Sequence, residues 1–185
     1  MKEYYSVISD ITVTFEVLAF LLMLFIYKHS GITLSFVHKP SLKTPQDHQI
    51  YSCFICAFLG PIFSLLGNQL AYDLIALSME VIDRRQVFYV ALMCHIFFFM
   101  LTAYIFHRLR GCRFSLIARI CMYLMWLMMT MNYAQLVLRG YFDVNFLYEH
   151  DVYGVFIVFS NAVIAIILLS YSIRYVFVNI YNKSQ

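Results

Sequence analysis

Glu16 and His95 fit their surroundings worst, because each interrupts a long apolar run, in Thr14-Phe-Glu16-Val-Leu and Met93-Cys-His95-Ile-Phe. An ionisable side chain in mid-membrane costs about 2.5–3.5 kcal/mol on insertion scales, so it calls for a function or a partner. A carboxyl and an imidazole can trade a proton, which makes the pair a candidate proton or cation relay. Asn161 sits about as deep in its own apolar run. The three side chains are expected to lie at one level of a helix bundle, as an ion pathway or as hydrogen-bonded glue between helices.

The cysteines suggest a different chemistry. Cys53-Phe-Ile-Cys56 has the spacing of a dithiol redox pair. A membrane thiol oxidoreductase needs a second pair on the same side, and Cys94, Cys112 and Cys121 do not supply one by spacing. Cys94 and Cys121 lie inside apolar runs, so the set is not a secreted-type disulfide framework. The histidines offer no His-x-x-x-His pair, and His107 is about 18 Å from His95 along the same predicted helix. His29, His38 and His48 fall in or beside one loop. The expectation is no metal and no cofactor. Glycine-rich phosphate loops, GxSxG and HExxH are absent, so an enzyme is not expected.

A third constellation is acidic. Gln69, Asp73, Ala76, Glu80 and Asp83 recur at helical spacing on one face, with Leu70, Leu74, Leu77 and Val81 opposite. This predicts a short amphipathic helix over 69–83 lying in the membrane interface. A sharper alternative inserts it partly, so that Asp73, Glu80 and Asp83 line a polar vestibule.

The elements that must position these residues are long apolar helices. Uncharged or nearly uncharged stretches run over 11–27, 50–67, 87–106, 116–138 and 153–173. At about 1.5 Å rise per residue each covers or nearly covers a hydrocarbon core of about 30 Å. With mean hydropathy +0.77, 63% hydrophobic residues and 12% charged, a water-soluble fold is excluded as the expectation. The predicted architecture is all-α: one polytopic membrane domain over 1–185, with five transmembrane helices and the amphipathic helix. Gly60-Pro61 predicts a kink in the second span, and Gly67-Asn68 a helix stop. The first span reads as retained rather than as a cleaved signal, and lipidation motifs are lacking.

Lys28, Lys39, Lys43, Arg108, Arg110, Arg113, Arg174 and Lys183 fall on one side of a five-span topology. Lys2, Arg84, Arg85 and Arg139 fall on the other, with the acidic stretch Asp143–Asp151. The positive-inside bias predicts the N-terminus outside and the C-terminus cytoplasmic. The sequon Asn182-Lys-Ser184 would then go unmodified. Arg119, one turn into the fourth span, is expected to snorkel to the headgroups. Asn132, Tyr133 and Gln135 are expected to form an interfacial belt, and the methionines of that span to pack.

The partners expected are the lipid bilayer and further copies of the chain or a larger membrane complex, with no nucleic acid, since the basic residues are dispersed. The leading expectation is a pore, channel or ion-translocating subunit with a Glu16–His95 polar centre. The alternatives are a non-transporting interaction protein (immunity, inhibitor or assembly factor) and a thiol or haem redox subunit.

Overall fold

Thr44 opens the second helix with a reciprocal cap. Its hydroxyl accepts the Asp47 N–H at 3.1 Å, the Asp47 carboxylate accepts the Thr44 N–H at 2.9 Å, and Pro45 follows where no intrahelical N–H is needed. The third helix ends as firmly, on Gly111 at φ 63°. There the Gly111 N–H reaches the Arg108 carbonyl and the Cys112 N–H the His107 carbonyl. Ser115 caps the fourth by accepting the Ala118 N–H at 3.1 Å.

These boundaries belong to a computed structural model that describes residues 3–29, 42 and 44–181. Its helices are α1 (Glu3–His29), α2 (Pro45–Ile75), α3 (Val81–Arg110), α4 (Leu116–Gln135), α5 (Phe146–Glu149) and α6 (Val152–Tyr175). α4 and α6 run on into π-helical segments, Leu136–Tyr141 and Val176–Tyr181. Among the described residues all regular structure is helical, and five helices are long and apolar enough to cross a membrane. α1 packs on α6 and α2, α2 on α3, α3 on α4, and α4 on α6. The loop with His38, Lys39 and Lys43, and the tail with Lys183 and the sequon, lie outside the described residues.

Two expectations are corrected. No separate amphipathic helix spans 69–83: α2 continues unbroken to Ile75, the chain turns over 76–80, and α3 begins at Val81. The acidic periodicity is real, but it is shared between the end of one long helix and the start of the next. Asp73, Glu80 and Asp83 are all exposed at this connection. Nor does Gly67-Asn68 stop a helix. Asn68 donates to the Ser9 hydroxyl at 3.0 Å, and Gly67 is where His95 meets α2. A glycine that admits a neighbour is easily mistaken, in sequence, for one that ends a helix.

The two ends of the bundle differ in charge. One gathers Lys28, Arg108, Arg110, Arg113, Arg119 and Arg174 beside Asp47. The other gathers Asp73, Glu80, Asp83, Asp143, Glu149 and Asp151 with Arg84, Arg85 and Arg139. They are called the basic and the acidic end below.

Candidate functional site: a half-polar seam ending at Glu16

Along α1, the side turned to its neighbours carries Ser9, Thr12, Glu16, Ala19, Met23 and Ile26, spaced alternately three and four residues apart. That is the spacing of a single helical seam. Its chemistry changes halfway. The half toward the acidic end is hydroxylic and ends in a carboxyl; the half toward the basic end is apolar.

α2 runs antiparallel and changes in the same place. Asn68, Ser64 and Gly60 succeed one another every fourth residue. Asn68 meets Ser9, Ser64 stands beside the Glu16 carboxyl, and a methyl placed on Gly60 would lie 3.6 Å from Glu16 Cδ. Farther on, Ala57, Phe54, Cys53 and Ile50 close against Met23 and Ile26 as a solid apolar cluster. Glu16 stands at the border and is only 3% exposed. Its Oε2 has no hydrogen-bond partner. Thr12, one turn back, is also buried and spends its proton on the Ile8 carbonyl at 2.8 Å. Within α2, Pro61 has no N–H to offer, which leaves the Ala57 carbonyl without its helical donor one turn from Gly60.

His95 approaches α2 from α3. Its Nε2 donates to the Phe63 carbonyl at 3.0 Å, and a methyl on Gly67 would sit 2.9 Å from that nitrogen, closer than packing permits. Contact with Phe63 and Gly67, against Gly60 and Ser64 for Glu16, sets the two side chains within about one helical turn in depth. Both side chains meet α2, Glu16 beside Gly60 and Ser64, and His95 at the Phe63 carbonyl and Gly67. Asn161 enters from α6. Because Tyr5 packs on Gly154, residue 16 is level with Ala165, and Asn161 falls about one turn nearer the acidic end, beside Thr12 in register. The structure thus places Asn161 near the seam in register and His95 against Phe63 and Gly67 of α2.

The cysteines divide differently from the sequence spacing. Cys56 and Cys121 share one packed cluster across α2 and α4, whereas Cys53 lies 3.7 Å from the Ser115 hydroxyl. Cys53, Cys56, Cys112 and Cys121 are buried free thiols. Among the described residues no group of His, Cys, Asp and Glu side chains is arranged to hold a metal.

Sequence reasoning missed two networks. At the basic end, Ser52 Oγ lies 2.9 Å from His107 Nε2, and His107 Nδ1 lies 2.7 Å from the Ala103 carbonyl. The proton must therefore sit on Nδ1, so Ser52 donates to Nε2 while accepting the Ser115 N–H at 2.9 Å. Ser52 and His107 are fully buried, and the imidazole stacks on Phe114 at 3.8 Å. No serine–histidine spacing in the sequence signals a pair 55 residues apart. At the acidic end Arg139 donates to Asn145 and Tyr89 and covers the Tyr148 ring, and Arg85 pairs with Asp143. That arginine holds the Asp143 carboxyl below the usual carboxylate range, by hydrogen bond and by charge. The expected belt of Asn132, Tyr133 and Gln135 splits: Tyr133 is exposed, while Asn132 and Gln135 are buried, Asn132 accepting from Tyr153 at 2.9 Å. Asn132 and Gln135, three apart, share a buried face, while Tyr133, one residue on from Asn132, points to another, so a run of polar residues need not share a fate.

No family model, curated protein or solved structure matches this chain.

Proposed function

We propose that this is an integral membrane protein that translocates an ion, with Glu16 as its intramembrane cation-binding carboxyl. One observation carries the reading: a carboxyl 3% exposed, with one oxygen unpartnered, stands where a polar seam running from the acidic end meets an apolar plug. A buried polar group without a partner is costly, and function is a common reason to keep one. Ser9, Asn68, Thr12 and Ser64 form the entry side, and Asn161 borders it by register. His95 is a supporting side chain held by the Phe63 carbonyl, within about one helical turn of the carboxyl in depth.

The seam reaches halfway. Beyond Glu16, Ala19, Cys56, Ile96 and Cys121 belong to an apolar cluster, so one copy supplies half a pathway. This favours a subunit of an oligomer or of a larger complex over a self-contained pore, the second half coming from a neighbour or from a shift of α1 against α2. The charge asymmetry of the ends supports an orientation with the basic end cytoplasmic and the N-terminus outside.

The test is proton and metal-cation flux into liposomes holding the purified protein, wild type beside Glu16→Gln. Flux in wild type that disappears in a folded Glu16→Gln protein is expected. Absence of flux from folded wild type, alone and with its co-purifying partners, would sink the proposal.

A further inference from the structure

The geometry points to a proton, carried on Glu16 as the neutral carboxylic acid, as the cation of this site. This inference rests on the reading of Glu16 as the cation site. A metal ion stripped of water asks for about six oxygen ligands at close range. Around Glu16 the seam offers fewer: the carboxyl's own pair, the Ser64 hydroxyl, the Thr12 hydroxyl one turn away and the freed Ala57 carbonyl, while Ser9 and Asn68 lie farther out, bonded to each other. No second carboxylate joins them, for Asp10 is exposed nearer the helix start and Asp73 is exposed beyond the seam. Between the carboxyl and Gly60 there is space for about a methyl group, less than an ion that keeps its water shell would fill. A proton needs only one lone pair, and Oε2 has one free. Binding it removes the charge that makes a buried carboxylate costly. The freed Ala57 carbonyl puts an acceptor for a carboxylic O–H in the same stretch of α2.

The surroundings supply no competing charge. From α2 the facing residues are Gly60 and Ser64, and the nearest titratable group is Cys56, packed in a cluster with Ala19. From α6 the level residue is Ala165, with Asn161 a turn outward and Tyr171 nearly two turns inward, beside the cluster of Met23 and Ile26. The π-helical segment after α6 meets α1 through Val176 of that same cluster. His95 of α3 is turned to the Phe63 carbonyl.

A membrane-permeant carbodiimide reads the protonated form directly. The carboxylic proton passes to a carbodiimide nitrogen, the carboxyl oxygen bonds the central carbon, and the adduct rearranges to a stable N-acylurea. Full-length protein in liposomes is treated across a range of pH in choline, sodium, potassium or calcium chloride at one ionic strength, and modification at Glu16 is quantified by peptide mass spectrometry. Labelling should fall at least tenfold from the acid to the alkaline end and be the same in all four salts. The Glu16→Gln protein, checked for helix content by circular dichroism, should lose that adduct. Protection by sodium, potassium or calcium would overturn the proton and leave translocation standing. Labelling that ignores pH would overturn it as well. The expected pattern in a protein that carries no flux would instead overturn translocation and leave proton binding in place.

Discussion

Ser52 is the residue on which most of the basic end converges. It donates to His107 and accepts from the Ser115 N–H, so it joins α2 to α3 and to the start of α4. Ser52→Ala strands a buried imidazole nitrogen and takes the acceptor from the part-buried Ser115 N–H. An unsatisfied buried group costs about 1–3 kcal/mol, and a loss of that order should appear in unfolding of the detergent-solubilised protein, with ion flux retained. Asp143 tests an exposed pair. Its carboxyl is depressed by Arg85, so the pair's contribution is present above the ordinary carboxylate value of about 4 and is lost as pH falls through the lower folded value. Asp143→Asn should flatten the pH dependence of stability in that acid window and leave neutral-pH stability nearly unchanged, because exposed pairs are weak. A melting series in low salt from pH 2 to pH 6 (about the span around that value) reads both.

At the scale of elements, the apolar runs were legible because a membrane-crossing helix must be apolar for its whole length, and each run falls within a helix found in the structure. The ends were less legible. Every span extends past its apolar run, since polar residues such as Asp73 and Arg110 continue a helix without a change of backbone state. The stripe Ser9, Thr12, Glu16 was written in α1 at regular spacing, as was Gly60, Ser64, Asn68 in α2. What no spacing within one helix could show is that these two stripes face each other. The same limit explains the level set of Glu16, His95 and Asn161: depth follows from counting along a helix, but direction around it follows only from the neighbours. It also explains why Cys56 packs in one cluster with Cys121 while Cys53 packs in another.

For the molecule as a whole, the uneven ends make a prediction about sidedness. With single cysteines placed at Glu149 and at Arg113, both exposed, a membrane-impermeant thiol reagent applied to intact cells should label the first and spare the second. The reverse pattern would turn the protein over in the membrane and make the seam run from the cytoplasmic side.

The half-polar face of α1 also bears on how the chain is made. α1 is synthesised before α2, and until α2 follows, Ser9, Thr12 and Glu16 lack the α2 side chains that cover them; they face lipid or the insertion machinery. α2 brings the matching Asn68, Ser64 and Gly60, but these lie in its second half and leave the ribosome last. The first helix therefore has reason to linger at the translocon's lateral opening and to partition as a hairpin with the second. Nascent chains halted before Asn68 should remain crosslinkable to the translocon, while longer ones move on into the bilayer.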